Sequence, residues 1–81
     1  MISKQYDRNM TYRSTAIITK EGKWFVARSL ELGVTSQGKT VEEAKTNLKE
    51  AVALYLEDMP RRKDVLTREM PLVTSIEVGR G

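Results

Sequence analysis

The stretch from Val41 to Asp58, which reads VEEAKTNLKEAVALYLED, decides the fold. Apolar residues recur in and just after it at steps of three and four, and this spacing places them along one side of an α-helix. This apolar stripe comprises Val41, Ala44, Leu48, Ala51, Val52, Tyr55 and Met59. The charged and polar residues fall mainly on the other sides. The stretch therefore predicts one amphipathic helix that packs on a neighbouring layer of structure.

The first turn of this helix has the sequence of a capping box. Thr40 occupies the N-cap position, and Glu43 follows three residues later. In such a box the threonine hydroxyl accepts a hydrogen bond from the amide of Glu43, and the Glu43 carboxylate accepts one from the amide of Thr40. Glu42 adds negative charge at the positive end of the helix dipole. At the other end Pro60 stops the helix, because proline cannot continue its hydrogen-bond ladder.

Strand-like segments lie on both sides of the helix. Met10–Lys20 and Trp24–Leu30 are joined by a tight turn at Glu21-Gly22, which predicts an antiparallel hairpin. Val34–Gln37 predicts a short third strand, and Leu72–Val78, which reads LVTSIEV, predicts a fourth. The polar stretch between Pro60 and Pro71 is predicted as a loop or a short helical turn, with Val65, Leu66 and Met70 as possible apolar anchors. The predicted fold class is α+β, an antiparallel sheet in β-β-β-α-β order with one main helix packed on one face.

The length of the chain predicts one domain. Its 81 residues are assigned as a single unit, with residues 1–9 as a loose lead-in and 79–81 as a tail. A chain this short buries only about 60% of the surface that its unfolded form exposes, so its core is thin. Self-association into a dimer or tetramer is therefore expected. No apolar run has the length of a membrane span and the first residues lack the apolar core of a signal peptide, so a cytoplasmic location is expected.

The composition removes several kinds of chemistry. The chain contains no cysteine and no histidine, which excludes disulfides, thiolate chemistry, and the commonest general base and zinc ligand. The adjacent carboxylates of Glu42 and Glu43 do not face each other on a helix, and Glu43 is used in the cap. The sequence therefore predicts no catalytic residue, no metal, no cofactor and no enzymatic activity.

The net charge of +3 and the pI of about 9.4 are mildly basic. A nucleic-acid-binding protein is the weakest of three hypotheses for the function of this chain. The reason is that its basic residues are scattered along the sequence rather than clustered. The residues that would bind nucleic acid are Arg13, Lys20, Lys23, Arg28, Arg61, Arg62 and Lys63. Steep salt dependence of binding would be its signature.

The segment from Gly33 to Thr40 matches the phosphate-binding pattern G-x-x-x-x-G-K-[ST] letter for letter. A phosphate-binding loop requires a parallel sheet with a crossover helix and an acidic magnesium ligand on a second strand. The flanking pattern instead assigns Val34 and Thr35 to a strand and Thr40 to the helix cap. The match is interpreted as a coincidence.

The stretch from Phe25 to Asp58 resembles the HicB-like antitoxin family. The resemblance rests on an aromatic second strand, a Leu-Gly bend, a strand-to-helix corner and a spaced helical pattern. The residues that carry it are Leu32, Gly33, Ser36, Gln37, Gly38, Thr40, Glu43, Ala44, Asn47, Glu50 and Ala51. The resemblance implies the same β-β-β-α-β fold, and it interprets the Gly38-Lys39-Thr40 corner as the strand-to-helix turn of the family.

The resemblance also implies a function. HicB-like domains cap a small RNA-cleaving toxin of the HicA type and mask its active site. Glu31, Glu42 and Asp64 are then candidate acidic contacts to a basic toxin, together with Glu43 and Glu50. The DNA-binding segment that many family members carry after the last strand has no counterpart here, so repression by that route is not expected. The alternative hypothesis is a self-associating HicB-like protein that has no toxin partner.

Overall fold

The computed structural model describes residues 11–81 and confirms the α+β class. Three strands come first: β1 (Ala16–Glu21), β2 (Trp24–Ser29) and β3 (Thr35–Gly38). The main helix α1 (Val41–Asp58), a 3₁₀ turn (Pro60–Arg62) and the short helix α2 (Lys63–Leu66) follow. The sheet has the order β1-β2-β3, and both pairs are antiparallel. The predicted lead-in at residues 1–9, and Met10 of the first predicted strand, lie outside the described residues.

The hairpin between β1 and β2 is closed by a two-residue loop. Glu21 pairs with Trp24, so Gly22 and Lys23 form the loop. Gly22 has a φ of 63°, and no residue other than glycine has a positive φ among those described. A positive φ at the first loop position alone fits a type II′ turn, whose twist matches that of the two strands. The predicted tight turn with a glycine of positive φ is thus confirmed, but it lies one residue later than the predicted Glu21-Gly22, because Glu21 is the last residue of β1.

The first strand is shorter than predicted. It begins at Ala16 rather than at Met10, and residues 11–15 have no regular secondary structure. The reason is the register, because Ala16 pairs with Ser29, the last residue of β2. Beyond this pair the chain bends through Gly33, whose φ is 75°. The carbonyl of Thr15 still accepts a hydrogen bond of 2.8 Å from the amide of Leu30. Residues 11–14 have no neighbouring strand among the described residues, so the ladder ends there.

The core lies between α1 and one face of the sheet. Ala27 and Ala44 are fully buried, and Leu48 is 5% exposed. The partly buried residues Ile18, Phe25, Val34 and Val52 pack around this cluster. The register places Ile18 opposite Ala27, which puts both on the side of the sheet that faces the helix. The centre of the predicted apolar stripe, at Ala44, Leu48 and Val52, therefore packs on the sheet. Its two ends do not, since Val41 is 39% exposed and Met59 is 49% exposed.

The ends of α1 agree with the predicted caps, with one difference. Thr40 Oγ1 accepts a hydrogen bond of 3.0 Å from the amide of Glu43. The Glu43 carboxylate accepts its hydrogen bond from the amide of Lys39 rather than from that of Thr40. The difference follows from the position of Gly38, which brings the end of β3 directly against the first turn of the helix. At the other end Met59 caps the helix, one residue before Pro60.

After α1 the chain forms the short helical turn that was one of the two predicted possibilities. Leu66 at the end of α2 is 3% exposed and is the main anchor of this region. Val65 is half-buried, whereas Met70 is 37% exposed. The region after Pro60 is thus attached to the rest of the domain through Leu66.

The prediction of a fourth strand at Leu72–Val78 is wrong for the single chain. Residues 71–81 have no regular secondary structure, and every one of them is exposed. This exposure shows that the segment does not pack on the rest of the described domain. A strand exists only where a neighbour satisfies its backbone amides and carbonyls, and no strand lies beside this segment within residues 11–81. The β-β-β-α part of the predicted order is therefore observed, without its last strand.

Candidate functional site

The outer edge of β1 is unpaired within the described residues. Helix α1 packs mainly on β2 and β3, and Ile18 is the residue of β1 that reaches the core below it. A groove of about 440 Å³ lies between α1 and residues 12–16, which are the start of β1 and the chain that leads into it, and it is here called the β1 groove. It is lined mainly by apolar surface, and its residues include Ala16, Leu48, Val52, Ala53 and Leu56. An unpaired strand edge beside an apolar groove is a surface that another strand can complete.

The edge of β3 is different, because side chains of α1 cover part of it. Asn47 Nδ2 donates a hydrogen bond of 2.8 Å to the backbone carbonyl of Gln37 in β3. The Glu43 carboxylate accepts from the backbone amide of Lys39, directly after β3. These two contacts satisfy backbone groups that an added strand would otherwise use. Of the two edges of the sheet, β1 offers the longer strand and the more open one.

The segment Leu72–Val78, here called the C-terminal segment, exposes large apolar side chains. Leu72 is 92% exposed, Ile76 is 82% exposed and Val78 is 78% exposed. These three residues stand at even spacing and share one face of an extended chain with Thr74. The hydroxyl of Thr74 donates to the carbonyl of its neighbour Ser75, not to the domain. The segment has the side-chain pattern of a strand and lacks a sheet to join.

The outer face of α1 carries an exposed leucine between carboxylates. Leu54 is 63% exposed, and Glu50 and Glu57 are also exposed. Residues 50, 54 and 57 are spaced by four and three, so they lie on one side of the helix. This side of the helix is roughly opposite the residues of α1 that line the β1 groove, which are centred on Leu48, Val52 and Leu56. The set of Glu50, Leu54 and Glu57 is here called the acidic face of α1.

Glu31 is held by hydrogen bonds within the domain. Its carboxylate accepts from the backbone amide of Thr15 at 2.7 Å, from the hydroxyl of Thr15 at 2.8 Å and from the hydroxyl of Ser14 at 2.8 Å. Ser14 also shares a hydrogen bond of 2.6 Å with the fully buried Ser29. This polar cluster joins the bend after β2 to the chain that leads into β1.

The same contacts change the acidity of this carboxyl group. Partial burial acts to raise the pKa of Glu31, but hydrogen bonds from Thr15 and Ser14 to the charged form outweigh it and lower the pKa. The carboxylate therefore stabilises the bend after β2 in its ionised form. A role in partner binding would require the carboxylate to exchange these hydrogen bonds for new ones.

The three predicted acidic contacts do not form one surface. Glu31 and Asp64 lie at the end of the domain where β1 begins, whereas Glu42 lies in the first turn of α1 at the opposite end. Glu42 and Asp64 are both exposed. An 18-residue helix is about 27 Å long, and this length separates them. Glu50, which the sequence also suggested, instead belongs to the acidic face of α1.

The motif residues that carry the resemblance have structural positions. Gly38 is buried, and a Cβ atom built on it would lie 2.5 Å from the amide nitrogen of Ala44. Thr40 caps the helix and Asn47 binds the carbonyl of Gln37. Glu43 also caps the helix, and Gly33 turns the chain with a positive φ. Ala44 is buried and Glu50 is exposed. The half-buried motif residues are Leu32, Ser36 and Ala51.

The same geometry accounts for the match to a phosphate-binding loop. Thr35–Gly38 is a strand of an antiparallel sheet, not a loop. The hydroxyl of Thr40 accepts from the amide of Glu43, and Gly38 is needed for close packing rather than for access of a phosphate. The Gly38-Lys39-Thr40 corner is a strand-to-helix turn.

Four of the basic residues predicted to bind nucleic acid lie at opposite ends of the domain. Lys20 and Lys23 lie at the hairpin turn, and the ammonium group of Lys20 lies 5.7 Å from the ring centre of Phe25. Arg61 and Arg62 lie beyond the far end of α1, at the opposite end. Nucleic-acid binding favours basic residues that form a continuous stripe along one face. These four residues are too far apart to form such a stripe by themselves.

Residues 11–81 contain neither a metal-binding cluster nor a helix that could cross a membrane. No group of three or more acidic or other metal-binding side chains is close enough to hold a metal ion in this part of the chain. Within the same residues no helix combines the length and the apolar character needed to cross a membrane.

The fold and the β1 groove define a class of protein, a small α+β domain whose sheet has an edge open to a further strand. The chain belongs to a family described as "Family of unknown function (DUF7387)", whose model matches residues 1–74. That match covers the sheet and α1 and ends inside the C-terminal segment. No curated protein and no solved structure matches the chain. Its function is therefore proposed from the surfaces described above.

The sequence pattern did not reveal the β1 groove. The predicted apolar stripe omitted Leu56, which is 8% exposed and lines the groove. Its spacing of four residues from Val52, and of eight from Leu48, was the signal available in the sequence.

Proposed function

We propose that this protein is a HicB-like binding module that masks a small RNA-cleaving toxin of the HicA type. The module acts by occlusion and carries out no chemistry of its own. Its target is a basic protein, because an enzyme that binds RNA presents positive charge to the phosphate backbone. The proposal keeps the cytoplasmic location expected from the sequence, where such an enzyme meets its RNA.

The observation that carries the proposal is the acidic face of α1. An exposed leucine flanked by two carboxylates combines an apolar anchor with charges that attract a basic partner. Leu54 is 63% exposed although it belongs to the main helix of the domain. Glu50 and Glu57 lie one turn before and one turn after it, and both are free of the capping role that occupies Glu43. A basic protein that covers this face would bury the leucine and pair with the carboxylates.

The first test is affinity capture of the tagged protein from its native lysate, followed by native mass spectrometry. The expected companion is a stoichiometric, small, basic protein that cleaves RNA when separated and is inactive in the complex. Recovery of a homo-oligomer with no such companion would overturn the proposal.

The binding surface is tested with a charge reversal and a matched control. Glu50→Lys is expected to weaken inhibition of the captured toxin by at least about tenfold, because it replaces attraction by repulsion at the contact. Glu69→Lys makes the same change at an exposed position outside α1 and is expected to leave inhibition unchanged. Equal effects of the two substitutions would show that net charge, and not the acidic face, determines binding.

The second candidate function is self-association without a toxin. One observation favours it: the same chain carries an apolar groove beside an unpaired strand edge and an exposed apolar segment with the pattern of a strand. Such an assembly would not exclude a toxin on the acidic face of α1, since the two surfaces lie on different sides of the helix.

A further inference from the structure

We propose that two copies of this chain exchange their C-terminal segments. Leu72–Val78 of each copy lies along the free edge of β1 in the other copy and fills the β1 groove. The exchange supplies a fourth strand to a sheet that has three strands within residues 11–81. It does not depend on a toxin, because it uses the edge of β1 and not the acidic face of α1.

The lengths of the two elements match. The C-terminal segment has seven residues and spans about 23 Å when extended, and the six residues of β1 span about 20 Å. One segment can therefore pair with the whole edge of β1. The edge of β3 has four residues, and Asn47 already binds the carbonyl of Gln37 there.

The side chains of the two elements also match. A strand beside β1 directs every second side chain toward α1, into the β1 groove. In the C-terminal segment Leu72, Thr74, Ile76 and Val78 share one such face. Their counterparts in the groove are Leu48, Val52 and Leu56 of α1. Exchange would remove from water the most exposed apolar side chains of the described residues, together with the exposed parts of Val52 and Ala53 in the groove. Leu48 and Leu56 are already buried and form the floor of the groove.

The path of the chain favours the groove of a second copy over its own. After α2 the chain lies beside the start of β1, where the amide of Arg13 donates to the carbonyl of Leu66 at 3.4 Å. Pro71 disfavours a helical conformation at Met70, so α2 cannot continue into the segment. Residues 71–81 are all exposed in the single chain, so the segment does not fill the groove of its own chain. A short connection that directs a terminal strand outward is the usual arrangement for exchange between identical chains.

The exchange is reciprocal, so it closes at two copies. Each copy donates one C-terminal segment and accepts one, which gives an isologous dimer with no unfilled groove. The contacts of Asn47 and Glu43 along β3 oppose growth from the other edge of the sheet. A dimer is therefore expected, and not a filament.

The exchange is tested by cross-linking, which the absence of cysteine in the chain makes specific. One variant carries Lys49→Cys at the rim of the β1 groove, and a second variant of different mass carries Thr74→Cys in the C-terminal segment. The two are unfolded, mixed, refolded and treated with a short bis-maleimide. The expected product is a covalent dimer of one chain of each kind, and native mass spectrometry of the untreated protein is expected to show dimers. A monomer with no cross-linked product would overturn the proposal.

A chain that carries both cysteines distinguishes exchange from folding back. If the segment fills the groove of its own chain, the double variant forms a cross-link within one chain and remains monomeric at all concentrations, which contradicts the exchange. Cross-links between chains, with dimers at the same concentrations, support it. Neither result depends on the presence of a toxin, so this test and the test of the toxin proposal fail independently.

The face of the segment that enters the groove is tested with neighbouring substitutions. Ile76→Asp places a carboxylate in the groove and is expected to raise the dimer dissociation constant by at least about tenfold. Ser75→Asp places the same charge on the opposite face of the strand and is expected to leave the dimer intact. Circular dichroism checks that both variants keep the helix. An equal effect of the two substitutions would contradict the assignment of the apolar face to the groove.

Discussion

Replacement of Gly38 by alanine tests the contact on which the strand-to-helix corner depends. A Cβ atom at this position would lie 2.5 Å from the amide nitrogen of Ala44, 2.8 Å from the carbonyl carbon of Glu43 and 2.9 Å from its Cβ atom. Carbon atoms in contact are normally separated by about 3.5–4.0 Å. Two of the three atoms belong to the backbone, so a change of side-chain rotamer cannot relieve the overlap. Either β3 or the first turn of α1 has to move.

The expected cost is large for a domain of this size. Overpacking by one added carbon in a tight site costs about 1–3 kcal/mol. Alanine also restricts the unfolded chain relative to glycine, which offsets at most about 0.4–1 kcal/mol where the site is compatible. The steric term therefore prevails. A domain of 81 residues has a free energy of unfolding of about 4–12 kcal/mol. A net loss of about 2 kcal/mol would lower the melting temperature by about 8–16 °C.

The assay is thermal unfolding followed by far-UV circular dichroism. All variants are compared at one protein concentration, because association would make the melting temperature depend on concentration. Gly79→Ala is the matched control, since no atom lies within 4 Å of the added Cβ, and it is expected to melt with the wild type. If Gly38→Ala melted within about 2 °C of the wild type, the close approach of β3 to α1 would be wrong.

Three further predictions concern the polar cluster, the helix cap and the core. Glu31→Gln is expected to cost about 1 kcal/mol near neutral pH, measured by urea unfolding, because the amide cannot replace both carboxylate oxygens as acceptors. Folding lowers the pKa of Glu31 below its ordinary value of 4.5, so this stabilisation is present above that pH and is lost as the pH falls through the lower folded value. The gap between the two proteins should therefore narrow below pH 4.5, and a gap that does not depend on pH would contradict the ionised form. Thr40→Ala is expected to cost about 1 kcal/mol in thermal unfolding, and Thr40→Ser to restore most of it; equal losses would exclude the cap. Leu48→Ala is expected to lower the free energy of unfolding in urea by about 2–5 kcal/mol, and Leu54→Ala by less than about 0.5 kcal/mol. Similar losses would contradict the assignment of Leu48 to the core and of Leu54 to the surface.

The sequence by itself determined the elements whose signals are local. The bounds of α1 at Val41 and Asp58 agree with the predicted ones, because the cap at Thr40 and the stop at Pro60 act within one turn of the helix. The hairpin turn was predicted for the same reason, since Gly22 supplies its positive φ without help from the rest of the chain. The apolar stripe of α1 also showed which side of the helix faces the sheet.

Only the tertiary structure decided where these elements meet. An alternating pattern shows that Leu72–Val78 suits a strand, but it does not show whether a partner strand lies within reach. The hydrogen bonds of Glu31 could not be predicted from the sequence either, because its partners Ser14 and Thr15 are about sixteen residues away in the chain. The position of α1 over β2 and β3, which opens the β1 groove, depends on the close contact at Gly38. Local physics fixes each element, and contacts between residues distant in the chain fix which surfaces remain open.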